Sequence, residues 1–164
     1  MDIQSKNKAL YFILTTISAI LVLIALGPGL IETGTNTVSW QYIFFEKLCH
    51  QDPERSYAIA GKSMAVCARC LGIYSAFAVG LISLPLFGRY FQIDKKHRIR
   101  LVIGIITLNA IDIFGNAIGI WTNTLESRLI LGLLFGLSIA ILLTDEFFKR
   151  NIKTEDTYGS EFAA

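Results

Sequence analysis

The chain has 164 residues, 53% of them hydrophobic and 17% charged, with a mean hydropathy of +0.53 and a formal net charge of +2. Soluble domains carry roughly 45–50% apolar and about 25% charged residues, so the composition excludes a disordered chain and argues against a soluble domain. Three cysteines are too few for a disulfide scaffold, and a charge of +2 is too small to suggest a nucleic-acid binder.

A helix needs about 20 mainly apolar residues to cross a bilayer. The first such stretch covers residues 9–26 and is expected to close at Gly27-Pro28-Gly29. It is longer than the roughly 7–15-residue apolar core of a signal peptide, and no small-residue cleavage site follows. Residues 32–65 then form one long connection, which is uncommon in compact domains unless it is functional or partly structured. Within it, the aromatic-rich, amphipathic run from Trp40 to Leu48 reads as an interfacial helix at headgroup depth. Further spans are expected at about residues 66–87, 101–120 and 129–143. Successive segments show no period-2 alternation, which disfavours a membrane β-barrel. The expected fold is an all-α integral membrane protein, a four-transmembrane-helix bundle forming one domain over residues 1–150. Residues 151–164 read as a mobile cytoplasmic tail.

Lys and Arg concentrate on the cytoplasmic side of membrane proteins. Lys6, Lys8, Arg89, Lys95, Lys96, Arg98, Arg100, Lys149, Arg150 and Lys153 are ten of the fifteen basic residues, and four crossings place all ten on one side. Both termini are therefore expected in the cytoplasm of a plasma-membrane protein. The long first connection and residues 121–127 then face outward. Gly72, Ala76 and Gly80 form one four-spaced row of small residues, and Gly132, Gly136 and Ala140 form another. Such rows let helices approach closely in lipid.

The polar exceptions carry the chemistry. Cys67 and Cys70 share a helix face by their spacing, and Cys49 and His50 precede them in the long connection. Three thiols and an imidazole match the Cys3His ligand set of tetrahedral zinc. Adjacent Cys49 and His50 can bind one ion only if the backbone between them is irregular, which Pro53 and the polar run around it allow. On the third span, Asp112, Asn116, Gly119 and Asn123 recur at spacings of four, three and four, which predicts one polar stripe. An ionisable residue inside a span costs at least about 2.5–3.5 kcal/mol near its centre on insertion scales, so Asp112 should face a partner within the bundle. Arg128 opens the fourth span at the same end, and Arg69 lies between the paired cysteines. Blander roles exist for each: Asp112 as a tie between helices, the arginines as interfacial flanks, the cysteines as small hydrophobes.

The run Cys49-His50-Gln51-x-Pro53-Glu54-Arg55-Ser56-Tyr57, followed by Val66-Cys67-Ala68-Arg69-Cys70-x-Gly72-Ile73-Tyr74, resembles a family of small prokaryotic multi-pass membrane proteins of unknown function. The similarity continues through Asp112, Asn123 and Arg128 to Gly132 and Gly136. Leu71 departs from the threonine that often follows the second cysteine in that family. The resemblance implies that the Cys/His set and the Asp/Asn/Arg set belong together, and it brings no established activity.

Three functional readings follow. In the first, zinc is held by Cys49, His50, Cys67 and Cys70. If only three of them bind, the open position makes a membrane metalloenzyme, with Asp112 as base, Asn116 and Asn123 beside it, and Arg128 and Arg69 holding an anionic small molecule or lipid. In the second, Cys67 and Cys70 exchange disulfides, as in the quinone-linked disulfide-generating membrane enzymes that a four-helix protein with this motif is also similar to. In the third, the chain is a transporter or accessory subunit, and four helices would then require a homo-oligomer.

Overall fold

A computed structural model describes residues 7–31, 40–59, 61–87 and 94–147. Its elements in chain order are helix α1 (Lys8–Ile31), helix α2 (Trp40–Phe45), strands β1 (Ala58–Ile59) and β2 (Lys62–Ser63), and helices α3 (Ala68–Phe87), α4 (Lys95–Ala117), α5 (Leu125–Leu142) and α6 (Thr144–Phe147). Helices α1, α3, α4 and α5 are each long and apolar enough to cross a membrane. The protein is an all-α membrane bundle, as expected from its composition. The expected tail, residues 151–164, lies outside the described residues, as does most of the connection between α3 and α4.

Several boundaries differ from the sequence expectation. Helix α1 does not stop at Gly27-Pro28-Gly29 but runs through to Ile31. Pro28 falls in the last turn, where its missing N–H removes a single intrahelical bond, a loss that membrane helices tolerate. Helix α4 starts six residues before the expected residue 101, so Arg98 belongs to its first turn rather than to a loop. Arg98 is almost fully buried and donates from Nη1 to the carbonyl of Ile141 at 3.5 Å. A cation here meets the carbonyl end of α5, where the helix dipole is negative.

The α3–α5 pair is the spine of the bundle, with α1 flanking it on α3 and α4 on α5. Arg69 meets Gly132, Ile73 meets Gly136 and Gly80 meets Ala140, so α3 and α5 run parallel. A Cβ on Gly132 would sit 2.2 Å from the carbonyl oxygen of Arg69, and one on Gly72 would sit 2.4 Å from that of Leu129. Hydrogen is the only side chain that permits this approach, and the two small-residue rows form the seam read from their spacing. Helices α1 and α4 run the opposite way. Tyr11, early in α1, donates its hydroxyl to the carbonyl of Leu81, late in α3, at 2.7 Å. Tyr11, Leu81, Leu84 and Phe147 form the core at that end.

The other end is built around the cysteines. Ala25, Phe45, Cys49, Ala65 and Val66 form a second core, with Tyr42, Cys67, Cys70, Leu71 and Tyr74 packed against it. Helix α2 buries Gln41 and Phe45 and leaves Trp40, Ile43 and Phe44 exposed, so its apolar surface points away from the protein. The β1–β2 hairpin has no counterpart in the sequence reading. Gly61, at φ +78°, makes its turn, and Met64 N–H closes it on the Tyr57 carbonyl at 2.8 Å.

Candidate functional site

The Sγ atoms of Cys49, Cys67 and Cys70 lie within 4.8 Å of one another. Each is delivered by local structure. Cys49 stands one turn beyond α2, its N–H bonded to the Phe45 carbonyl at 2.8 Å. Gln51, in the left-handed region at φ 51°, then turns the chain away, and its side-chain amide donates to the Tyr42 carbonyl at 2.7 Å. The left-handed residue thus follows His50 rather than separating it from Cys49. The hairpin returns the chain, held by the Tyr42 hydroxyl on the Ser63 carbonyl. Fully buried Ala65 and Val66 then seat Cys67 beside Cys49.

Cys67 immediately precedes α3, and its carbonyl accepts the N–H of Leu71 at 3.0 Å, so it caps the helix. Its own N–H donates to Cys49 Sγ at 3.2 Å. Hydrogen bonds from the Cys49 and Cys70 thiols, and then from the N–H groups of Cys70 and Arg69, hold the Cys67 thiol well below its ordinary range against the opposing effect of burial. Three soft donors gathered in one place suit a thiophilic cation. Tetrahedral zinc at about 2.3 Å from each sulfur would space the sulfurs about 3.8 Å apart, a movement of no more than about 1 Å from the present arrangement. His50 is exposed and outside this group. The geometry therefore assembles three of the four expected ligands.

The second cluster lies across α3. Asp112 Oδ2 receives Arg69 Nη2 in a direct ion pair and Asn123 Nδ2 at 2.6 Å. The two charged side chains are only 19% and 15% exposed. Asn116 Oδ1 accepts the N–H of Asn123 at 3.0 Å. These residues come together, but not as one helical stripe, because α4 ends at Ala117. Gly119, at φ +75°, is the left-handed residue of a Schellman cap: Ile120 N–H reaches the Gly115 carbonyl at 2.9 Å, and Gly119 N–H the Asn116 carbonyl at 3.4 Å. Trp121 folds back over Gly115, where a Cβ would lie 2.1 Å from its ring. Asn123 thus returns to Asp112 along a reversed chain.

Thr124 caps α5 by accepting the N–H of Ser127 at 3.2 Å, and Arg128 follows in the first turn. Arg128 is half-buried, within electrostatic range of Arg55, Arg69, Cys67 and Asp112. From sequence, Arg69 is expected at an interface or on an anionic ligand; in the structure it pairs with Asp112. The available signal was the isolated acid itself, since an intramembrane carboxylate needs a cation from a neighbouring helix. Cys67 and Cys70 face the α1–α2 side while Arg69, between them, faces α4, so one turn of α3 serves both clusters.

Comparison with known proteins gives a consistent picture. The chain is 30% identical over 147 residues to an uncharacterized protein of Methanocaldococcus jannaschii, covering 85% of this chain and 94% of that one. It is 31% identical over 99 residues to an uncharacterized protein of Methanothermobacter thermautotrophicus, covering 60% of this chain and 86% of that one. No solved structure matches it significantly. A family model described as predicted membrane protein (DUF2085) matches residues 49–142, a span that opens on Cys49, takes in both polar clusters and ends with α5. The chain belongs to this family of predicted membrane proteins.

Proposed function

We propose that the protein is a metal-binding membrane protein in which the thiolates of Cys49, Cys67 and Cys70 hold one zinc ion. The convergence of three sulfurs from two segments, 18 residues apart in sequence at their closest approach, supports this reading. Free cysteines used as small hydrophobes have no reason to converge from separate segments. Bound zinc supplies a Lewis acid and a tie between the long connection and α3. Zinc held by the three thiolates would take a fourth ligand, for which His50, next to Cys49 in the chain, is the candidate from the Cys3His set. Asp112, Asn116 and Asn123 are read as positioning residues, since their polar atoms are engaged with one another and with Arg69. The excess of Lys and Arg toward the opposite end of the bundle supports placing the thiols on the outer side of the plasma membrane, with both termini in the cytoplasm.

A second reading, thiol–disulfide exchange, is favoured by one observation: Cys67 caps a helix whose first turn contains Cys70. There the two thiols form an S–S bond and pass two electrons and two protons to a disulfide or quinone acceptor. One measurement separates the readings. The protein is purified in detergent without reductant, and zinc and free thiols are counted in the wild type and in Cys67→Ser. About one zinc per chain, lost on substitution, supports the metal site. Absence of metal together with a Cys67–Cys70 disulfide overturns it.

A further inference from the structure

We propose that the cysteine end of the bundle binds a phosphate-type oxyanion between Arg69 and Arg128, with Arg55 at the rim, independently of whether the thiols hold a metal. Three arginines from three segments stand at this end: Arg55 from the long connection, Arg69 from the first turn of α3 and Arg128 from the first turn of α5. Two carboxylates answer them. Asp52 pairs with Arg55 at 2.9 Å, and Asp112 pairs with Arg69. The guanidinium of Arg128 has neither an ion pair nor a hydrogen bond among the described residues; its backbone N–H donates to the Thr124 carbonyl at 3.2 Å. Glu126, in the same first turn, is exposed and forms no ion pair with it.

The guanidinium of Arg69 is also incompletely used. Nη2 is committed to Asp112, whereas Nε is buried without a hydrogen-bond partner. A buried N–H left unpaired costs about 1–3 kcal/mol, more for a charged group, so this donor calls for an acceptor. The α3–α5 seam sets the two arginines in register. Arg69 lies level with Gly132, and Arg128 is one turn nearer the end, about 6 Å higher along the axis. Both parallel helices direct their N-termini, and so their positive dipole ends, to this side. Arg128 shares this end of the bundle with two other like-charged guanidiniums, which repel one another. An anion between the guanidiniums relieves that repulsion.

Phosphate fits this arrangement because guanidinium forks match its oxygens bidentately. Exposed Trp40 and Trp121 mark the same end, and tryptophans favour the headgroup level of a bilayer. The phosphate can therefore belong to a lipid headgroup or to a soluble molecule, and the test distinguishes them. Protein in dodecyl maltoside is titrated with inorganic phosphate, with phosphatidylglycerol, and with diacylglycerol, which lacks the phosphate, while thermal unfolding is followed. Wild type is compared with Arg128→Gln and Arg128→Lys.

The expected result is saturable stabilisation by a phosphate-bearing ligand and none by diacylglycerol. Affinity should fall about tenfold or more in Arg128→Gln, with partial recovery in Arg128→Lys and a ligand-free melting temperature no lower than that of wild type. Stabilisation by phosphatidylglycerol alone supports a headgroup site, and stabilisation by inorganic phosphate supports a soluble ligand. Absence of saturable stabilisation, equal stabilisation by diacylglycerol, or equal affinity in Arg128→Gln overturns the proposal.

Discussion

Replacing Asp112 by asparagine keeps the side-chain shape and removes the one negative charge opposite Arg69. Asp112 Oδ2 now accepts from Arg69 Nη2 and from Asn123 at 2.6 Å, and both members of the ion pair are more than four-fifths buried. The amide oxygen of asparagine can still accept from Asn123. The guanidinium is left charged and uncompensated, with its Nε already lacking a partner. Severing one side of a buried pair costs about 3–5 kcal/mol, and the remaining exposure lowers the expectation to about 2–4 kcal/mol. Unfolding in mixed micelles over a denaturing-detergent gradient measures it. Arg69→Gln combined with Asp112→Asn should be less destabilised than the sum of the single substitutions, by about 1–3 kcal/mol, because the pair is removed together. A single variant within about 0.5 kcal/mol of wild type, or strict additivity, would show that the pair does not hold α3 to α4.

Gly132→Ala places a Cβ 2.2 Å from the Arg69 carbonyl and should destabilise by about 1–3 kcal/mol in the same unfolding assay. Gly104→Ala, where nothing lies within 4 Å, should be neutral or slightly stabilising, so equal effects at the two glycines would contradict the seam. For topology, a fluorescent protein fused after the last residue should fluoresce in intact cells, and a periplasmically active phosphatase inserted in residues 32–39 should be active. The reverse pattern would invert the assigned orientation.

The apolar spans were legible because each needs only length and composition, and the glycine rows because four-residue spacing is a property of one helix. The three cysteines were legible as a cluster from residue type and the C-x-x-C spacing. His50 was not separable from them, since adjacency in sequence says nothing about which way a side chain leaves an irregular backbone. Asn123 shows a different limit. Its spacing from Asp112 and Asn116 suits a continued helix, yet it reaches the same carboxylate through the reversal at Gly119. The spacing suggests a stripe on one helix, whereas the helix ends six residues before Asn123. The Arg69–Asp112 pair joins residues 43 apart, and no local pattern encodes a contact at that range.

The single helical turn from Cys67 to Cys70 acts as a ruler for the whole end of the molecule. The glycine seam fixes its height, because Arg69 itself touches Gly132. Inserting one residue between this turn and Gly72 would rotate the turn by about 100° and lift it about 1.5 Å, turning the sulfurs away from Cys49 and the guanidinium away from Asp112 together. Chain length can therefore change in the connection ahead of Cys67 far more readily than within the first turns of α3. In that sense the two clusters share one structural register.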